Sequence, residues 1–198
     1  QHNFFREYKN RIVNNIYFDS LNFKSFSDNV DGQSKRVKTR YRWYGKFENQ
    51  SYGSMEFKIK RNVFGYKKTY NVKNLIIDEK KDFRYINNKI FNELPQDIGI
   101  FFKQNDNPQI INQYEREYFK TKNQKFRVTI DRNIKIFDQR KSNTPNISRK
   151  TISQNYIVLE IKFDRKSRKD IENLISNIPI RISKNSKYIN AFRSVYGI

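Results

Sequence analysis

In four separate stretches of this chain, polar and apolar residues alternate at every second position. Arg36, Lys38, Arg40 and Arg42 fall on one parity, with Val37, Tyr41 and Trp43 on the other. A β-strand turns successive side chains to opposite faces, so residues 36–44 predict a strand with a basic stripe on one side and an apolar surface behind it. The same reading gives Glu56, Lys58 and Lys60 against Met55, Phe57 and Ile59. It also gives Arg127, Thr129 and Asp131 on one face of 126–131, and Glu160 and Lys162 against Ile157, Leu159, Ile161 and Phe163. Further strands are expected at 11–19, 67–72, 112–120 and 134–138, with 36–44 and 54–61 paired as a hairpin through the loop from Gly45 to Gly53. The segment after residue 19 reads as a polar loop, and so does 140–153.

Elsewhere the period changes. Phe83, Ile86, Ile90, Phe91 and Leu94 recur at helical spacing and stop before Pro95. A second short helix is expected at 98–102, a third carrying Ile171, Leu174, Ile175 and Ile178 before Pro179, and a last one at 186–195. Apolar helical stripes must be buried, and the surface available to them is the apolar side of the strands. The expectation is therefore one α+β domain over 1–198. Its sheet carries helices outside, and its basic faces curl toward one another around an interior.

Charge sharpens that picture. The chain has 41 Lys and Arg against 20 Asp and Glu, a formal net charge of +21, which points to an anionic ligand: nucleic acid, membrane surface or phosphate compound. Like charges at every second position of a strand repel, so their placement argues for a polyanion between them. The chain contains no cysteine and one histidine, His2, which excludes disulfides and thiolate zinc and argues strongly against a Ser-His-Asp triad. A metal would have to be a hard ion on carboxylate oxygens. Six glycines and no G-x-x-x-x-G-K-[ST] or G-x-G-x-x-G run argue against a glycine-cradled nucleotide. No apolar run is long enough to span a bilayer. The chain begins without methionine or a signal-peptide pattern, so it is expected to be a piece of a longer protein.

Seven blocks occur in a particular order: Tyr17-Phe-Asp-Ser20, the Arg36 to Gly45 run, Glu56-Phe-Lys58, Tyr114-Glu-Arg116-Glu-Tyr118, Arg127-Val-Thr-Ile-Asp131, Leu159-Glu-Ile-Lys162 and Ser186-Lys-Tyr188. In that order they resemble the polyphosphate polymerase domain of the vacuolar transporter chaperone (VTC) type, within the triphosphate tunnel metalloenzymes. The resemblance runs from about residue 11 to residue 190. It implies an antiparallel β-tunnel of about eight strands with a basic interior and outer helices, binding ATP, triphosphate or inorganic polyphosphate with Mn2+ or Mg2+. Its reaction would be transfer of a phosphoryl group from ATP to a growing polyphosphate chain. Hydrolysis of triphosphate, or binding without turnover as a sensor, stays open. It further implies a cytoplasmic domain, alone or in a membrane-associated assembly, and no specific nucleic-acid partner. The family's first strand finds no counterpart ahead of Arg11, so a missing wall of the tunnel is expected.

By position, the resemblance assigns phosphate contact to Arg40, Arg42, Lys58, Arg116, Arg127 and Lys187, and metal binding to Glu160; the alternating charged faces add Arg36, Lys38 and Lys162 to the phosphate contacts. Lys68, or its neighbour Lys67, supplies the lysine after the turn at Gly65. Arg40, Arg42, Lys58 and Glu160 carry the catalytic roles. Arginine suits phosphate because its planar fork gives two parallel charge-assisted hydrogen bonds. Glu56 reads either as support for the metal or as the charge partner of Lys58, and Asp131 as a turn residue at a strand end. Tyr17, Tyr41, Trp43 and Tyr44 read as core residues rather than base-stacking platforms. Arg165, Lys166, Arg168 and Lys169 read as a solvated helix entrance.

Overall fold

Alternating stretches become strands and 3.6-periodic ones become helices. The structure, a computed structural model, describes residues 3–47, 52–176 and 181–198. Strand β1 (Phe4–Asp19) is followed by helix α1 (Lys24–Val30), then by strands β2 (Lys35–Tyr44), β3 (Tyr52–Arg61) and β4 (Phe64–Lys73). Helices α2 (Phe83–Asn92) and α3 (Gln96–Lys103) lead into the long strands β5 (Asn107–Thr121) and β6 (Phe126–Asp138). Strands β7 (Thr151–Gln154) and β8 (Val158–Phe163), then α4 (Arg168–Ser176) and α5 (Lys187–Tyr196), complete the order.

All eight strands form one antiparallel sheet in the order β4-β3-β2-β1-β5-β6-β7, with β8 also paired to β6. The α+β class and the strand number match the expectation from the sequence. The sheet is not closed into a barrel: β4 lies at one end, while β7 and β8 line up along the outer edge of β6 at the other.

The apolar parity of β1, β2 and β3 packs beneath α2 and α3. Ile16, Phe18, Tyr41, Trp43, Met55 and Phe57 join Phe83, Ile86, Ile90 and Phe102 in the largest core cluster. Burying aromatic and aliphatic side chains of this size contributes roughly 1.5–3 kcal/mol each. The Tyr41 ring lies so close over Gly53 that a β-carbon there would sit 2.2 Å from its hydroxyl, so glycine is required on β3. Asp82 caps α2 by accepting from the Tyr85 N–H at 2.7 Å.

Helices α1 and α5 differ from the expected outer layer. They pack on the other side of the sheet, where Tyr17, Ile110 and Ile136 meet Tyr188, Ile189, Ala191 and Phe192. Tyr17 stacks on Tyr188 with ring centroids 5.2 Å apart. The Tyr188 hydroxyl donates to Asp19 at 2.6 Å, and the same carboxylate accepts the Ser25 and Phe26 N–H groups. That one carboxylate ties β1, α1 and α5 together at the edge of the charged face.

Three further elements depart from the sequence reading. Residues 24–30 are helical rather than loop, 126–138 form one uninterrupted strand rather than two, and β7 occupies the end of the expected polar loop. The expected helical stripe at Ile178 and Pro179, and part of the Gly45 to Gly53 hairpin loop, lie outside the described residues. Among the described residues, no helix is long and apolar enough to cross a membrane.

Candidate functional site

Strand register decides which charges become neighbours. Lys38 on β2 lies opposite Lys58 on β3, which lies opposite Lys67 on β4. Arg36 lies opposite Lys60, and Arg40 opposite Glu56. On the other side of β2, Arg40 faces Tyr17 and Arg42 faces Asn15 of β1. The same parity continues through Asn112, Tyr114 and Arg116 of β5, then Arg127, Thr129 and Asp131 of β6, to Glu160 and Lys162 of β8. From above, Lys187 at the first turn of α5 reaches into this face and contacts Asp131.

The face is organised around two buried carboxylates. Glu56 accepts from Arg40 Nε at 2.8 Å and Nη2 at 2.6 Å, and from Lys67 Nζ at 3.1 Å. Burial alone would raise its pKa, but the charges of Arg40 and Arg42 and the hydrogen bonds from Arg40 and Lys67 outweigh it and hold Glu56 at about 2. Asp131, fully buried, accepts a two-pronged bond from Arg116 at 2.6 and 2.8 Å and a third contact from Lys187. Burial pushes Asp131 up, and Arg116 and Lys187 more than reverse it.

Between the two carboxylates, Arg42 is held by neutral side chains. Arg42 donates from Nε to Asn15 Oδ1 at 2.8 Å and from Nη2 to the Tyr114 hydroxyl at 3.2 Å, while Asn15 donates to Asn112 Oδ1 at 2.8 Å. The guanidinium of Arg116 and the ammonium of Lys187 both lie over the Tyr114 ring, at 5.2 and 4.8 Å. Arg42 is thus fixed in place without a carboxylate partner among the described residues.

Other cations on the face also lack an anion. Lys38 donates to Ser186 Oγ at 2.9 Å, a neutral partner, and Lys58 and Arg127 make no ion pair among the described residues. Burial first, then the charges of Lys58, Arg36 and Arg40, bring Lys38 down from the ordinary lysine value of 10.5 to about 8. Hence the folded chain already resists the charges it has gathered here.

Of the residues singled out in the sequence, Arg36, Lys38, Arg40, Arg42, Lys58, Arg116, Arg127, Glu160, Lys162 and Lys187 share this one face. Lys68 does not. It pairs opposite Phe57, on the parity that faces the core, so Lys67 is the lysine that joins Lys58. Glu56 partners Arg40 and Lys67 rather than Lys58. Asp131 lies inside β6, not at a turn, because β6 continues to Asp138. Tyr17, Tyr41 and Trp43 are buried as expected, but Tyr44 is 48 % exposed.

Asn15, Asn112 and Tyr114 were not indicated by charge. Parity alone could have found them, since Tyr114 stands two residues before Arg116, and Asn15 two before Tyr17, on single strand faces. As to a metal, the described residues hold no group of three or more His, Cys, Asp or Glu side chains. Glu56 and Asp131 are already saturated by cations. Glu160 is half-exposed, with Lys162 at 3.5 Å. Such a donor set fits only a hard divalent ion that takes most of its ligands from water and phosphate oxygens.

The family model of the VTC domain matches residues 2–196. No curated protein matches the chain.

Proposed function

The chain belongs to the VTC domain family, whose functions concern polyphosphate. From that premise we propose that its basic face binds the phosphate chain of ATP and of inorganic polyphosphate and transfers a phosphoryl group between them. The observation that carries this reading is the row Arg36, Lys38, Arg40 and Arg42, set opposite Lys58 and Lys60 and backed by Arg116 and Lys187, with few carboxylates to neutralise it. A linear polyanion answers such a row better than a single ion does.

In the transfer, a terminal oxygen of the acceptor chain forms a new bond to the γ-phosphorus of ATP, the bond from that phosphorus to the β,γ-bridging oxygen breaks, and ADP leaves. No side-chain nucleophile is required. Arg42, locked by Asn15 and Tyr114, holds its fork still, and Arg40 is held by Glu56 on one edge and donates from Nη1 to the Tyr17 hydroxyl at 3.4 Å on the other, which fixes its charge beside the phosphates. Lys38 and Lys58 neutralise charge as it moves to the bridging oxygen. Glu160 would hold Mn2+ or Mg2+, which would supply Lewis-acid neutralisation of the phosphate charge.

A second reading, binding without turnover, is favoured by one feature: the two most buried carboxylates of the face are both occupied by cations. Product analysis with ATP and manganese separates the readings. Chain-length growth marks a polymerase, free phosphate a hydrolase, and binding without products a sensor. For the polymerase, Glu160→Gln is expected to abolish metal-dependent turnover while retaining tripolyphosphate binding. Full activity in that variant would remove Glu160 from the metal.

The depressed Lys38 provides a second test. Between about pH 8 and 10.5 the folded, empty chain has released a proton that the unfolded chain keeps, so this group's contribution to stability rises with pH. A bound phosphate chain favours the charged ammonium and reverses this. Tripolyphosphate binding near pH 8.5 is therefore expected to take up protons, read as a dependence of calorimetric enthalpy on the buffer's ionisation enthalpy. Lys38→Met should lose that uptake. Proton release, or equal uptake in the variant, contradicts the role of Lys38.

A further inference from the structure

Beyond Arg42 and Arg116, the charged face ends in an open aromatic cluster that phosphate binding does not use. Tyr44 stands two residues past Arg42 on β2, and Tyr118 two past Arg116 on β5, each on the face of its preceding arginine. Both strands flank β1, which supplies Arg11 and Tyr8 between them. The Arg11 guanidinium lies 5.0 Å from the Tyr8 ring centre, 5.6 Å from that of Tyr118 and 5.8 Å from that of Tyr44. Tyr8 meets Tyr118 edge to face at 5.6 Å.

Two features separate this cluster from ordinary packing. The pairing of β1 with β5 shifts register between Tyr8 and Arg11, and a bulge of this kind re-aims side chains that simple alternation would point apart. The cluster is also not covered: Tyr8 is 47 % exposed and Tyr44 48 %, and Arg11 makes no ion pair among the described residues. Half-exposed tyrosine rings that already carry a guanidinium form a surface on which a nucleobase stacks. Along a strand, two residues span about 7 Å, which leaves room for one ribose between a phosphate at the arginines and a base on the tyrosines.

The geometry points to a nucleobase subsite made by Tyr8, Arg11, Tyr44 and Tyr118, which holds the base of a nucleoside triphosphate whose phosphates lie on the basic face. This rests on the phosphate-chain reading above and adds to it the end from which the nucleotide enters. The Tyr44 end of the stripe takes the base, and the Arg36 end takes the phosphate acceptor. Because stacking accepts any base, ATP and GTP bind alike.

The test compares ATP, ribose 5′-triphosphate and tripolyphosphate by calorimetry on the native chain, on Tyr44→Ala/Tyr118→Ala and on Tyr44→Phe/Tyr118→Phe. The native chain is expected to bind ATP about tenfold tighter than ribose 5′-triphosphate. The alanine pair should erase that preference and leave tripolyphosphate binding unchanged, while the phenylalanine pair keeps it. Equal affinity of the native chain for ATP and ribose 5′-triphosphate, or an undiminished preference in the alanine pair, overturns the subsite. Failure of tripolyphosphate to bind the native chain overturns instead the phosphate-chain reading beneath it.

Discussion

Replacing Asp131 by asparagine is expected to cost about 3–5 kcal/mol of folding stability, the usual penalty for removing one partner of a buried charge pair. Asp131 is fully buried and is the only carboxylate held by both Arg116 and Lys187 among the described residues. Asparagine keeps the shape and one acceptor but removes the charge, so two partly buried cations face each other without compensation. The effect reaches beyond β6, because Lys187 begins α5 and Asp131 is its anchor to the sheet. Urea unfolding measures the loss. Added tripolyphosphate should restore more stability to the variant than it adds to the native chain, because a phosphate can stand where the carboxylate charge was. A loss below about 1 kcal/mol, within the range of an exposed pair, would mean that the pair does not organise the face.

How far the sequence reveals this site depends on parity. Alternation in 36–44 and 55–60 was enough to place Arg36, Lys38, Arg40, Arg42 and Lys58 on one surface, because a two-residue period fixes the face once the strand is known. Alternation could not say which of Lys67 and Lys68 faces the charges. That depends on the register across β3 and β4, set by the tight turn between Arg61 and Phe64. Nor could it pair Arg40 with Glu56 or Arg116 with Asp131, which face each other only through the pairing register of consecutive strands, or bring Lys187 to Asp131 from a helix far along the chain. Helix α1 was hidden because its seven residues carry little apolar periodicity: it is held by the Asp19 carboxylate and by Phe26 stacked on Phe192 at 3.9 Å. Helix α5 was legible as a helix, but its apolar stripe did not reveal that it would lie on the charged side of the sheet. Tyr17 and Ile110, on the polar parity of β1 and β5, form the apolar patch that receives it.

The central claim is that the row of cations on β2 and β3 is held ready for a phosphate chain. Two cations about 6 Å apart repel by roughly 2–3 kcal/mol at an effective dielectric constant near 20, and the pKa of Lys38, lowered first by its burial and then by the charges of Lys58, Arg36 and Arg40, includes that repulsion. A polyanion relieves it and, binding only the folded state, stabilises by mass action. At a hundred times the dissociation constant this is about 2.7 kcal/mol, or about 5–10 °C for a chain of this size. Orthophosphate at equal ionic strength neutralises one position instead of a row and gives a smaller shift. Arg40 is a poor site for the test, because its removal leaves the buried Glu56 with Lys67 alone as its cation. Lys38 and Lys58 lie opposite each other without a carboxylate partner among the described residues, so Lys38→Met/Lys58→Gln removes the charge at the cost of one neutral hydrogen bond to Ser186 and leaves no carboxylate unpaired. The decisive measurement is thermal unfolding of the native chain and of this double variant with tripolyphosphate and with orthophosphate. The account predicts that tripolyphosphate raises the native melting temperature far more than orthophosphate does, and that the double variant melts higher when empty but loses at least half of the tripolyphosphate shift. Equal shifts for the two anions, or an undiminished shift in the double variant, would contradict it.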